Sequence, residues 1–385
     1  MSLHAEPLAP ADLKRTPLHA LHVELGARFA PFAGYEMPIQ FESGILKEHL
    51  HTRAAAGVFD VSHMGQLVVR PRDAPADAAR ALESVMPIDV LGLREGRQCY
   101  GFLTNESGGI FDDLMIANRG NHWLLIVNAS RKDADCKRLR RALENCCSVE
   151  LLADRALIAL QGPQAEKVLS ALAPEIISLR FLDVRHARLA GAECIVSRSG
   201  YTGEDGFEIS VPAHAAERLA RTLLEHPDVE SIGLGARDSL RLEAGLCLYG
   251  ADMDEATSPV EARLAWAIPK VRRTGSARTG GFPGAEVILR QLAQGTQRQR
   301  VGLRSQERTP IRAHAPLYAK LSSDTAIGTV TSGTFGPSVN APVAMAYVES
   351  AAAMPGTTLF AEVRGRRVPV NVSELPFVPT RYKRS

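Results

Sequence analysis

The sequence lacks long apolar runs, a marked charge excess and a recognisable targeting segment, and each absence excludes a class of protein. No stretch approaches the roughly 18–20 apolar residues that cross a bilayer. A formal net charge of +2 over 385 residues is far from the basic excess of a dedicated nucleic-acid-binding protein. Glu6 and Asp12 precede the first Lys or Arg, unlike export and transit signals. The sequence therefore predicts a cytoplasmic protein without a nucleic-acid or membrane partner.

The six cysteines form no C-x-x-C motif. Neither the cysteines nor the histidines show the short ligand spacings of a zinc site. No serine stands in a G-x-S-x-G elbow, which leaves covalent nucleophilic catalysis without support. We expect free thiols in a reducing compartment and no metal.

Hydrophobic residues make up 45% of the chain, enough for two or three domains. Strand and helix patterns come in irregular clusters, which favours an α+β fold over regular βαβ units. Residues 270–284 are rich in Gly, Pro and Arg, as in an exposed connector. A helix pattern and five strand patterns follow. We therefore predict an N-terminal region at residues 1–284 and an all-β domain at residues 285–385.

An acidic motif, Gly108 to Leu114, places two glycines before a strand pattern that carries Asp112 and Asp113. Side chains alternate along a strand, so at most one of these carboxylates can face a given pocket. Two interpretations stay open at this point. The pair is either two solvated turn aspartates or includes a carboxylate that accepts a proton or stabilises a cation.

Residues 197–209 contain three glycines, with Tyr201 at the tip and Glu208 entering the next strand. This pattern predicts a constrained hairpin or loop. Such loops often carry functional side chains, although an ordinary hairpin with surface acids has the same pattern.

Residues 233–245 contain a G-x-G that lacks the third glycine of a dinucleotide fingerprint, and Asp238 stands in its place. An acid there would repel a pyrophosphate, so we exclude nucleotide binding. A core helix fits better, with Arg237 near its start to hold an anion or a carboxylate. His63, before another strand pattern, is either an acid–base group or a structural histidine.

Together these segments resemble the aminomethyltransferase, or T-protein, family of the glycine cleavage system. The resemblance covers nearly the whole chain in the family's order, with matching stretches at residues 32–38 (FAGYEMP), 57–65 (GVFDVSHMG), 108–114, 161–163 (QGP), 199–208, 233–244, 248–254 (LYGADMD), 331–333 (TSG) and 375–380 (LPFVPT). It implies a three-lobed fold, in which two interwoven N-terminal α/β lobes and a C-terminal β-barrel surround a tetrahydrofolate pocket.

The resemblance also implies a reaction and its partners. The family takes the aminomethyl group from the lipoyl arm of the H protein and passes its methylene to tetrahydrofolate. The products are 5,10-methylenetetrahydrofolate, ammonia and the dihydrolipoyl H protein. The lipoylated H protein is thus the implied partner, and the P and L proteins of the same system are further ones.

Seven residues of this chain match site positions of the family. The catalytic acid falls on Asp113, and the carboxylate that pairs with the pterin ring falls on Glu208. The other positions that line the folate site fall on Met64, Tyr100, Tyr201, Arg237 and Tyr382.

Three alternative functions compete with the aminomethyltransferase interpretation. Relatives that demethylate sulfonium or aryl-ether compounds are expected to alter the acid motif, which is intact here. Folate-binding accessory proteins linked to iron–sulfur assembly are expected to carry a cysteine motif that this chain lacks, and a flavin-dehydrogenase fusion would need a dinucleotide fingerprint.

The chain also differs from the family's pattern at two places: Gly336-Pro337 replaces a usual Ser-Pro, and the connector at residues 270–284 is unusually basic. Its Lys270, Arg272, Arg273 and Arg278 either dock an acidic H protein or form a solvated linker.

Overall fold

The computed structural model describes residues 12–385, so the expectation based on Glu6 lies outside the described residues. Within this range the chain forms eight α-helices and nineteen β-strands. The helices are α1 (His19–Glu24), α2 (Ile45–Ala54), α3 (Pro75–Glu83), α4 (Lys132–Ala142), α5 (Ala165–Leu172), α6 (Ala216–Leu224), α7 (Leu234–Glu243) and α8 (Ala285–Gln294). None of these helices is long and apolar enough to cross a membrane.

The strands are β1 (Arg28–Phe32), β2 (Tyr35–Gln40), β3 (Ala56–Asp60), β4 (Gly65–Pro71), β5 (Gln98–Thr104), β6 (Ile110–Asn118), β7 (Trp123–Val127), β8 (Cys147–Leu151), β9 (Arg155–Gln161), β10 (Val184–Leu189), β11 (Ala192–Ser197), β12 (Gly206–Pro212), β13 (Val229–Ile232), β14 (Arg298–Ser305), β15 (Pro316–Tyr318), β16 (Gly328–Gly336), β17 (Ala341–Glu349), β18 (Thr358–Val363) and β19 (Arg366–Ser373). Short 3-10 helices span Pro174–Ser178, Ala213–Ala215, Ala265–Ala267, Lys270–Arg272 and Ser350–Ala352.

Two sheets form the N-terminal lobes, and the chain crosses between them twice. One sheet has the order β10-β11-β12-β9-β3-β13, and the other has the order β5-β6-β7-β4-β8. Strand β3 belongs to the first sheet, β4 to β8 build the second, and β9 returns to the first. Only β13 pairs in parallel, with β3, among the strand pairs of these two sheets. The predicted α+β class is therefore confirmed, and the two crossings link the two lobes along the chain.

Each N-terminal sheet buries one face against its helices. Phe207 and Leu160 of the six-stranded sheet pack with Leu169 of α5 and Leu219 of α6. In the five-stranded sheet, Leu67 and Leu103 share a core with Leu82 of α3 and Leu139 of α4. The opposite faces pack in part against each other and against α7.

The C-terminal strands close into a barrel in the order β14-β17-β16-β15-β18-β19, because β14 pairs with both β17 and β19. The predicted β-barrel is confirmed. Helix α8 precedes it and packs Ile288 against Phe102 and Ile110 of the five-stranded lobe. The division at residues 284 and 285 stays a prediction.

The basic segment at residues 270–284 is anchored to the five-stranded lobe. Arg272 is 3% exposed and donates to Glu83 at 2.7 Å, at the end of α3. Arg278 reaches both Glu83 and Asp89 at 2.6 Å, and Arg273 donates to the Ile268 carbonyl at 2.9 Å. The prediction of an exposed connector is wrong for these arginines, because carboxylates and carbonyls of the same chain already occupy them.

Helix α7 joins the lobes to the barrel through a buried ion pair. Arg241 is 2% exposed and pairs with Asp252, which is fully buried. Arg241 also donates to Ser332 of β16 at 2.8 Å, and the Tyr347 hydroxyl of β17 donates to the Asp252 carbonyl at 2.7 Å. Three of the sequence stretches noted above thus meet at one polar contact.

We predict that Asp252→Asn strongly destabilises the protein. The amide leaves the Arg241 cation buried without its main counter-charge, which costs about 3–5 kcal/mol. Asp238→Asn is the matched control, since this second partner of Arg241 is 52% exposed and its loss should cost about 1 kcal/mol or less. Urea unfolding of both variants checks this, and equal midpoints for the two would contradict it.

Candidate active site

A cavity of about 1900 Å³ lies where the two sheets, helix α7, the barrel and the C-terminal segment meet. All seven residues predicted for the site line it: Met64, Tyr100, Asp113, Tyr201, Glu208, Arg237 and Tyr382. They come from six separate parts of the chain, so the fold alone brings them together. Their roles stay predictions, while their convergence is a property of the structure.

Asp113 projects from β6 into the cavity, and Asp112 points to the opposite face, as strand alternation predicts. The Asn128 side-chain amide donates to the Asp113 carboxylate at 2.6 Å, and the nearby Tyr100 hydroxyl lowers the pKa of Asp113. Burial, and then the neighbouring Asp112, raise the pKa of Asp113 to about 7. Asp113 is thus a carboxyl group that changes charge near neutral pH.

Two further aspartates lie behind Asp113 and do not reach the cavity. Asp112 and Asp135 are both fully buried, and burial and mutual repulsion raise the pKa of Asp112. Asn128 also donates to Asp112, at 2.9 Å. Its amide therefore holds both adjacent aspartates in fixed positions.

Glu208 and Arg237 form the polar end of the cavity. The Ser199 hydroxyl donates to the Glu208 carboxylate at 2.6 Å. The Arg237 guanidinium lies 4.7 Å above the Tyr201 ring, and its Nη1 is buried without a hydrogen-bond partner among residues 12–385. Burial lowers the pKa of Arg237, and the Glu208 charge opposes this shift. A carboxylate acceptor and an unsatisfied donor thus face the same space, as a bound polar ring would require.

His63 and a stacked pair of aromatic rings form further parts of the cavity wall. His63 lines the cavity beside Met64, and burial lowers its pKa to about 3, so the ring is neutral at physiological pH. Tyr382 stacks on Phe181 with a centroid distance of 4.1 Å and an angle of 10°. Burial raises the pKa of Tyr382 to about 12. These side chains therefore offer uncharged surface to a ligand.

Comparison with known proteins agrees with this arrangement. Residues 18–272 match the GCVT N-terminal domain, and residues 298–379 match the glycine cleavage T-protein C-terminal barrel domain. The chain belongs to the glycine cleavage T-protein family. A solved T-protein structure from Bartonella henselae, described as a glycine cleavage system aminomethyltransferase, superposes with a TM-score of 0.90 at 44% identity, over 96% of this chain and 99% of that one.

Curated relatives of the T-protein family extend over almost the same length. The mitochondrial aminomethyltransferase of Dictyostelium discoideum is 43% identical over 97% of this chain and 94% of its own. That of Canis lupus familiaris is 45% identical over 98% and 93%, respectively. Because these relatives are named mitochondrial, they do not support the cytoplasmic location expected from the sequence.

The structure adds two residues to those that the T-protein motifs indicated. Asn128 follows β7 and reaches Asp113 only because β6 and β7 pair with Leu114 opposite Val127. Trp266 lines the cavity, is 66% exposed and stacks on Tyr100 at 5.4 Å. No local pattern marked the asparagine, whereas Trp266, one of two tryptophans in the chain, could have been noted for its rarity.

We predict that Asp113 titrates near pH 7, protonated below and charged above, because burial disfavours the carboxylate. Carbon-13 NMR of aspartate-labelled protein measures this, with the signal assigned by its loss in Asp113→Asn. In Tyr100→Phe the pKa should rise further, since the hydroxyl that stabilises the charged form is gone. Titration of Asp113 near the ordinary aspartate value of about 3.9 would contradict the prediction.

Proposed function

We propose that this protein is the aminomethyltransferase of a glycine cleavage system. It takes the aminomethyl group from the lipoyl arm of the H protein, transfers its methylene to tetrahydrofolate, and releases ammonia and the dihydrolipoyl H protein. The observation that carries the proposal is the convergence of the family's seven site positions on one cavity. Full-length similarity to aminomethyltransferases supports it.

The polar end of the cavity suits the pterin ring of tetrahydrofolate. A pterin presents amino and ring N–H donors on one edge, and the Glu208 carboxylate can accept two of them. The unsatisfied Nη1 of Arg237 supplies a donor to an acceptor on the ring. Tetrahydrofolate, when bound, supplies the amine nitrogen that takes up the methylene carbon.

Asp113 supplies a negative charge close to the point where the reaction develops a positive one. As the carbon–sulfur bond to the lipoyl arm breaks, positive charge grows on the transferred group, and a fixed carboxylate stabilises it. Asn128 holds that carboxylate in place through a hydrogen bond, so little reorganisation is needed during the reaction. The raised pKa of Asp113 also lets the group accept a proton and return it near neutral pH.

The reaction takes its one-carbon group from a protein donor, and none of its steps requires a metal ion. The lipoylated H protein is the donor. The P and L proteins are further partners through the same carrier.

The acid motif separates this function from that of demethylating relatives. Those relatives transfer a methyl group from sulfonium or aryl-ether compounds and are expected to carry an altered motif, whereas Asp112 and Asp113 are both present here. A methylsulfonium donor is therefore the informative alternative substrate. Turnover with that donor, and none with the aminomethylated H protein, would contradict the proposal.

We predict that Asp113→Asn retains the fold and most tetrahydrofolate binding but loses about 10²–10³-fold in kcat, since a neutral amide cannot stabilise the developing cation. The assay follows ammonia and methylenetetrahydrofolate formation from aminomethylated H protein. Circular dichroism and tetrahydrofolate titration of the same variant serve as controls. A near wild-type kcat would remove Asp113 from the catalytic role.

A further inference from the structure

Backbone hydrogen bonds hold residues 381–383 against two loops of the six-stranded lobe. The Arg381 amide donates to the Gly203 carbonyl at 2.8 Å, and the Phe181 amide donates to the Lys383 carbonyl at 2.7 Å. Tyr382 lies between these two anchor points and lines the cavity. The position of its ring therefore depends on how firmly the segment is held.

The Lys383 side chain adds an ionic anchor outside the cavity. Its Nζ donates to Glu166 on α5 at 2.7 Å and to the Ile177 carbonyl at 3.1 Å. Glu166 also accepts from Arg198, which is 1% exposed and pairs in turn with Asp205. Burial would raise the pKa of Glu166, but the hydrogen bonds from Lys383 and Arg198 outweigh it, so the pKa is lowered.

The anchored segment and the loop beneath it form one aromatic unit. Phe181 is the residue whose amide binds the Lys383 carbonyl, and its ring is the one on which Tyr382 stacks. The Arg384 guanidinium lies 5.4 Å from the Phe181 ring centre. A backbone displacement at Lys383 would therefore move Tyr382 and Phe181 relative to each other at the cavity wall.

We propose that Lys383 is a positioning residue for tetrahydrofolate, and that its ion pair with Glu166 holds Tyr382 against Phe181 in the shape that the folate contacts. Lys383 touches neither the cavity nor the acid at Asp113, so it acts on binding and not on the chemical step. The inference rests on the proposed function, because tetrahydrofolate is the ligand it assigns to this wall.

The expected effect is modest, because both side chains of the pair are 32% exposed. An ion pair of this kind contributes at most about 1 kcal/mol. At 1.4 kcal/mol per tenfold change, this corresponds to about fivefold in affinity. The effect should appear in KM for tetrahydrofolate alone.

The test compares Lys383→Met with Lys383→Arg and Glu166→Gln in the full-length protein. Lys167→Met is the matched control, since Lys167 is the next residue on α5, is 65% exposed and pairs only with Asp228 among the described residues. Steady-state kinetics with aminomethylated H protein give KM for tetrahydrofolate, kcat and KM for the carrier. Thermal unfolding of each variant shows whether it is folded.

Lys383→Met and Glu166→Gln should each raise KM for tetrahydrofolate measurably, by up to about fivefold, with kcat and KM for the carrier unchanged. Lys383→Arg should restore the wild-type KM, and Lys167→Met should not alter it. An unchanged KM in Lys383→Met, or a loss of kcat instead, would overturn the positioning role while wild-type turnover stands. No turnover by the wild-type protein would overturn the proposed function itself.

Discussion

Two opposite charges, Arg241 of helix α7 and Asp252 of the following loop, lie almost completely buried where that helix meets the barrel. Removing either charge would leave the other unpaired in a medium that solvates it poorly. The barrel completes the contact through Ser332 and the Tyr347 hydroxyl, while Met253, beside Asp252, packs into the five-stranded lobe. The relative placement of the lobes is therefore tied to keeping one ion pair intact.

The same helix carries the site. Arg237 lies one turn before Arg241, so the two guanidinium groups project from the same side of α7. Arg237 faces the polar end of the cavity, and Tyr201 beneath it donates its hydroxyl hydrogen to the Cys247 carbonyl, next to the loop that holds Asp252. Glu243, at the end of α7, accepts the Ser338 amide at 2.8 Å, directly after the unusual Gly336-Pro337. The cavity wall and the contacts between the lobes thus share one rigid element.

Local patterns predicted local structure well, as in the strand pattern that carries Asp112 and Asp113, which is β6, and the helix pattern after residue 284, which is α8, because their periodicity is set by neighbouring residues. Alternation likewise placed Asp112 and Asp113 on opposite faces, but only the resemblance indicated that Asp113 is the one that faces the cavity. Asn128 escaped prediction because its role depends on strand register. The prediction of an exposed connector was wrong for Arg272 because its partner, Glu83, lies 189 residues away in sequence. The basic composition of the segment alone could not indicate that contact.

The proposed function depends most on the assignment of the cavity's polar end to the pterin of tetrahydrofolate. Glu208 carries that assignment, as a carboxylate held by Ser199 and facing the free donor of Arg237. Calorimetric titration of tetrahydrofolate into the wild-type protein and Glu208→Gln tests it most directly. Loss of a charge-assisted pairing of about 1.5–3 kcal/mol predicts a Kd raised by about tenfold or more. An unchanged Kd would contradict the assignment.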